Sequence, residues 1–243
     1  MRKAYIFLLI LLFPLTAAAS DLKVLVGAKG SYKAVPIKFK STDAKNTVRN
    51  SVLALSASVE VDETYTFSLS GGIDFTSVKD PVTFTKVPFS IVTPSFSKRG
   101  LYLGAAAEAF PFELSGFELG GRIRGDLYMP SSESWKVTLR IVEGQFKADP
   151  TYGAVSVDLL GRKKLNNGLL LYGGFSFLQS FGKIKGTETI EDLSGKEDLK
   201  IKNRFVPGLV SGLSYDFEDY LRLTAEASLI NTWGMELSLS YIF

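Results

Sequence analysis

From Leu22 to the end, large apolar residues recur at every second position. In TYTFSLSGGIDF, Tyr65, Phe67, Leu69, Ile73 and Phe75 share one face with Gly71, while Thr66, Ser68, Ser70, Gly72 and Asp74 take the other. GFELGGRIRGDLY sets Phe117, Leu119, Ile123 and Leu127 against Glu118, Arg122, Arg124 and Asp126. WKVTLRI opposes Trp135, Val137, Leu139 and Ile141 to Lys136, Thr138 and Arg140. YLRLTAEASL sets Leu221, Leu223 and Leu229 against Arg222, Thr224, Glu226 and Ser228. Side chains of a strand point alternately to its two sides, so this period predicts strands with one apolar and one polar face. After the first twenty residues no helical period runs beyond two turns.

Turn-forming clusters punctuate the pattern: Asp62-Glu63, Pro130-Ser131-Ser132, Asp149-Pro150, Asn166-Asn167-Gly168 and Asp216 to Asp219, with a tight hairpin at Asn231-Thr232. The runs between them predict strands at 22–34, 48–60, 64–76, 83–92, 98–110, 114–127, 135–147, 151–162, 168–181, 204–217, 220–231 and 232–243. That gives twelve, or ten if 22–34 and 83–92 are set aside; Pro88 interrupts the latter. With the C-terminus on the inner side, the long polar connections 35–47 and 182–203 fall outside. The short turns at 61–63, 163–167 and 217–219 fall inside, as in bacterial membrane barrels.

Alternation does not say whether the apolar face is buried or wetted by lipid. The runs are commonly ten to thirteen residues long, whereas soluble strands average about five or six and a tilted membrane-spanning strand needs ~9–11. Tyr65 and Phe75 bracket one run, and Trp233 and Tyr241 another, matching aromatic girdles about 25 Å apart. The polar face carries glycine, serine and charge, which suit a hydrated lumen. The expected fold is therefore all-β: a closed antiparallel transmembrane β-barrel. A soluble lipocalin-like binder with its apolar face inward is the competing reading.

The N-terminus supports export. MRK is followed by the apolar run Ala4 to Leu15 and then TAAAS. This reads as a cleavable secretory signal at 1–19, leaving 20–243 as one barrel domain. Loss of Arg2 and Lys3 leaves 26 basic residues from 28, against 25 acidic ones, a net charge of +1. With no basic run either, no nucleic-acid partner is expected. There is no cysteine, hence no disulfide and no lipoprotein anchor.

The last stretch, WGMELSLSYIF, alternates Trp233, Met235, Leu237, Leu239, Tyr241 and Phe243 with Gly234, Glu236, Ser238, Ser240 and a single apolar residue, Ile242. It resembles the C-terminal assembly signal of bacterial outer-membrane β-barrel proteins. That resemblance implies an outer-membrane location. It also implies that Tyr241 and Phe243 are read by the barrel-assembly machinery and that outer-membrane lipid is a partner. Barrel enzymes of similar size, among them phospholipases, deacylases, palmitoyltransferases and omptin-like proteases, use a histidine. This chain has none, so neither those mechanisms nor a Ser-His-Asp triad can be built. No catalytic residue, metal site or cofactor is expected. The carboxylates of 182–203 match no calcium loop.

What remains is the lumen. Arg122, Arg124, Lys136 and Arg140 are the expected basic pore-lining residues, and Glu226 and Glu236 the acidic ones across from them. The leading expectation is a passive channel for small polar solutes or ions, with a transverse field between the two walls. The alternatives are a closed structural or adhesive barrel that presents outer loops such as 182–203, its lumen charges pairing into a plug, and the soluble periplasmic lipocalin-like binder.

Overall fold

The computed structural model describes residues 21–40, 45–87, 90–139, 142–165, 168–190, 193–202, 205–218, 220–230 and 232–243. The expected signal and Arg140 lie outside them. Among the described residues fourteen strands follow in order: β1 Leu22–Lys38, β2 Lys45–Val61, β3 Tyr65–Val78, β4 Val82–Phe84, β5 Ile91–Thr93, β6 Phe96–Leu114 and β7 Phe117–Pro130; then β8 Glu133–Leu139, β9 Val142–Lys164, β10 Leu169–Ile190, β11 Leu193–Lys200, β12 Phe205–Phe217, β13 Leu221–Leu229 and β14 Trp233–Ile242.

Twelve of them form one antiparallel sheet. Within it ten close into a ring, β1-β2-β3-β6-β7-β9-β10-β12-β13-β14. The seam is β14 against β1, from Ala34 opposite Trp233 to Leu25 opposite Ile242. Phe243 completes it, donating its N–H to the Val24 carbonyl at 2.8 Å. The strand expected at 22–34 is thus a full ring member, not one to set aside.

The two sheet strands outside the ring, β8 and β11, pair only with the upper ends of β9 and β10. The run expected at 83–92 splits into the small hairpin β4–β5, a separate sheet. Asp149-Pro150, expected as a turn, lies inside β9. It falls level with the handover from β7, whose last partner is Tyr152, to β8, whose first is Ala148. Proline is tolerated where the ladder is interrupted. Conversely, the turn between β6 and β7 is Ser115-Gly116, both at positive φ (52° and 76°), the geometry of a two-residue hairpin. The Ser-Gly dipeptide signals it. Just before that turn, Phe110 and Pro111 stand opposite the single Gly120 in a β-bulge. A Cβ on Gly120 would lie 1.9 Å from the Ala109 carbonyl oxygen, so only glycine fits there.

The inner turns are short, and the outer ends carry β4–β5, β8 and β11, so the expected inside–outside division holds. The span 182–203 is no loop: it is the upper half of β10 followed by β11.

The apolar face reverses along each long strand. In the lower part of the ring it points outward: Leu69 is 51% exposed, Ile123 58% and Leu237 54%. Above that band it points inward. Val35 and Ile37 of β1, Val48 of β2, Phe146 and Ala148 of β9 and Ile184 of β10 join Val82, Phe84 and Ile91 of the β4–β5 hairpin in one buried core. Phe84 and Phe146 are fully buried, with ring centroids 4.7 Å apart. Physical chemistry requires this switch. Where lipid surrounds the ring, the apolar side chains face out; where water surrounds it, they must face in.

Candidate functional site

The lumen-facing positions follow from parity. On β7, Ile123 and Leu127 face lipid, so Arg122, Arg124 and Asp126 face inward. On β13 and β14, Leu223 and Leu237 face out and Glu226 and Glu236 face in. In a ring of ten, β7 and β14 stand five places apart, diametrically opposite, and β13 stands four places from β7.

The charges meet across that gap. Arg122 Nη1 donates to Glu226 Oε2 at 2.5 Å, and its Nε donates to Asp158 Oδ2 on neighbouring β9 at 2.7 Å. Arg124 Nη1 reaches Glu226 Oε1 at 3.2 Å, and its Nη2 reaches Glu236 Oε1 at 3.3 Å. Tyr172 OH of β10 donates to Glu226 Oε2 at 2.9 Å. One step along, Lys33 of β1 crosses to Asp126 Oδ2 at 2.8 Å, and Tyr102 OH of β6 donates to Asp126 Oδ1 at 2.7 Å. Lys29 Nζ donates to Tyr102 OH at 3.0 Å and lies 3.8 Å from Glu236. Arg122, Asp126, Asp158 and Glu226 are all buried. Each charge has an opposite partner, as burial requires.

Nearer the inner end the crossing repeats. Arg222 of β13 holds Asp216 through two hydrogen bonds, at 2.6 and 2.8 Å, and reaches Glu60 of β2 at 2.6 Å. Arg162 of β9 donates to the Glu63 carbonyl in the β2–β3 turn at 2.5 Å. Glu63 itself accepts from Lys23 at 2.8 Å and Lys164 at 3.0 Å, which hold its carboxyl down at a pKa of about 2. Between these two layers lies a cavity of about 190 Å³. Arg122, Arg124, Arg222 and Tyr172 line it, together with serines such as Ser58 and Ser240. Beside the upper layer, Lys33, Asp158 and Trp233 help line a void of about 30 Å³.

Four of the expected pore-lining residues, Arg122, Arg124, Glu226 and Glu236, therefore come together at the centre. Lys136 does not. It sits exposed on β8, outside the ring, while its neighbour Trp135 packs against the outer core. The period was right and the face reversed, because β8 stands above the lipid band. Sequence reasoning passed over Lys29, Lys33, Tyr102, Asp158 and Tyr172. Lys29 and Lys33 sit four apart on one face of KVLVGAKGSYK, a signal that was available.

The ring, its outward apolar band and its inward charges decide the class. The chain is an outer-membrane-type β-barrel. No protein-family model matches it, and no curated protein matches it. Among solved structures, the barrel is similar to the outer membrane protease OmpT from Escherichia coli, at 7% identity over 93% of this chain and 97% of that one, with a TM-score of 0.49. It is also similar to the translocator domain of the autotransporter NalP from Neisseria meningitidis (12% identity, 96% and 91% of the chains, TM-score 0.44). A third is the toluene transporter TbuX of Ralstonia pickettii (9%, 93% and 90%, TM-score 0.40). What makes this barrel one of its type is its own ring and lipid-facing band. Tyr241 and Phe243, the expected assembly signal, face outward at the seam with ring centroids 4.8 Å apart.

Proposed function

We propose that the barrel is closed, and that it serves as a rigid outer-membrane stalk holding the β8–β11 platform above the lipid. One observation carries this reading: the opposite-strand network of Arg122, Arg124, Glu226 and Glu236 crosses the lumen beneath an apolar outer core. Two barriers of different chemistry lie in series. An ion meets fixed, already paired charges, then a plug around Phe84 and Phe146 that offers it no hydration.

Planar-bilayer recording tests the reading. The folded barrel is expected to show no steady current at neutral pH. A stable ohmic conductance from the unmodified protein would overturn it.

The passive channel for small polar solutes or ions is the second reading, and the serine-lined chamber of about 190 Å³ favours it. Conduction would require both the network and the β4–β5 plug to give way. In either case the lipid-facing band supports outer-membrane lipid as one partner. The exposed Tyr241–Phe243 pair supports a second, the assembly machinery. A non-catalytic role is part of this reading, because the histidine-based mechanisms of similar barrels cannot be built without a histidine.

A further inference from the structure

Where the upper ends of β1, β2, β10 and β11 meet, strand pairing forces lysines together. Lys38 stands directly opposite Lys45 on the β1–β2 ladder. Lys183 stands directly opposite Lys200 on the β10–β11 ladder. The Phe39–Ile201 bridge then joins the two ladders. At this junction Lys40 N–H donates to the Lys200 carbonyl at 2.8 Å, and Lys202 N–H to the Lys38 carbonyl at 2.7 Å. Six lysines surround one junction. Among the described residues only Lys183 has an acidic partner there, Asp198 at 2.7 Å. Like charges directly opposite one another destabilise a sheet, and here the fold carries two such rungs side by side. Lys38, Lys45 and Lys202 also line one cleft of about 40 Å³ with the buried Ser180.

The height of the junction narrows what would offset this charge. Phe181 is the last outward aromatic of β10, two residues below Lys183. Trp233, at the top of β14, pairs with Ala34, four residues below Lys38. At ~3.3 Å per residue and a tilt of ~40°, the lysines stand roughly 5 to 10 Å above the aromatic level. That is headgroup depth, within reach of flexible ammonium groups, which bind phosphate as point charges.

We propose that this lysine junction binds the phosphate-bearing headgroup of an anionic lipid in the outer leaflet. The assignment rests on the barrel spanning the membrane, and not on whether its lumen is closed.

The test uses the full folded protein in phosphatidylcholine vesicles, with and without pyrene-labelled phosphatidic acid. In a Trp135→Phe background, energy transfer from Trp233 reports lipid at the barrel wall. Phosphatidic acid is expected to be enriched there over labelled phosphatidylcholine. The triple variant Lys38→Ser, Lys45→Ser, Lys202→Ser should lose that preference by about fivefold per lysine. The triple variant Lys86→Ser, Lys136→Ser, Lys147→Ser, elsewhere on the exterior, should keep it. Heat-modifiable gel migration scores insertion separately, so a barrel that fails to insert is distinguished from one that inserts without lipid preference. Equal transfer from wild type and junction variant overturns the assignment. So does equal loss in the control variant, or dextran sulfate binding at the same lysines in detergent without any phosphatidic acid preference in vesicles.

Discussion

Removing the contact between Arg122 and Glu226 examines the centre of the structure most directly. The two side chains touch at 2.5 Å from strands four places apart in the ring, and both are buried. At about 4 Å and an effective dielectric near 20, a charge pair interacts by ~4 kcal/mol before desolvation is subtracted. The single losses fall short of that, because neither partner is left alone. Without Glu226, Arg122 keeps Asp158 at 2.7 Å; without Arg122, Glu226 keeps Arg124 at 3.2 Å. The expected cost of Glu226→Gln is therefore about 2–3 kcal/mol, below the ~3–5 kcal/mol of a fully orphaned buried charge. A double-mutant cycle with Arg122→Met should give a coupling energy of about 2–3 kcal/mol, the upper end for residues in one network. Reversible urea unfolding in lipid vesicles, followed by the fluorescence of Trp135 and Trp233, measures all four corners. A coupling below ~0.5 kcal/mol, within the range of exposed surface pairs, would mean that water fills the gap and that the network does not seal the lumen.

Three further outcomes follow. Ile123→Arg places a charge on the lipid side of β7 and should cost about 2–4 kcal/mol in vesicles; the same loss in a detergent-free aqueous preparation would instead point to a soluble fold. Phe84→Ala empties the centre of the outer core and should cost about 3–5 kcal/mol, and bilayer recordings of Phe84→Ala combined with Glu226→Gln should show current openings absent from the wild type. Glu63 has its folded pKa depressed to about 2 by Lys23 and Lys164, so its contribution is complete above the ordinary carboxylate range and is lost as pH falls toward 2. The group is half exposed, so Glu63→Gln should lower stability at pH 7 by no more than ~1 kcal/mol and leave it unchanged near pH 2; equal effects at both pH values would refute the ion pairing.

Most of the ring was legible in the period-two pattern, because each position's parity fixes its side once lipid is granted. That logic sets Arg122 and Arg124 opposite Glu226 and Glu236. It failed at Lys136 for a reason that parity cannot contain. Periodicity tells which residues share a face, not which medium that face meets, and the medium changes partway along β9 and β10. Phe175 faces out and Ile184 faces in on the same unbroken strand, the side occupied by apolar residues switching between them. Local turn signals misled for a related reason. Asp149-Pro150 is a strong breaker in isolation, but β9 continues past it because β10 pairs with that stretch throughout, from Ile190 down to Leu170. The twelve expected strands do not map one to one onto the ring for the same cause: 83–92 falls on the separate β4–β5 hairpin, and 135–147 divides between β8, which lies outside the ring, and the upper end of β9.

Circumference matters, because it decides whether charges on opposite walls can meet at all. About eight strands leave a bore that side chains just fill, while sixteen or more leave a water channel. Ten lies slightly above the lower limit, where small lumen residues alone would leave a narrow hydrated bore. Here the longest side chains occupy the widest span. Arg124 bridges the full diameter from β7 to β14, and Lys33 crosses four places from β1 to β7. Serines occupy the stretch beneath, where the cavity remains. Had β4–β5 and β8 widened the ring to twelve, the two walls would stand farther apart than an arginine and a glutamate can reach, and the same residues would line two separate, oppositely charged walls. The transverse field expected from the sequence thus depends on a wider ring; at ten strands the field collapses into direct contacts, and the pore-lining residues become the bolt.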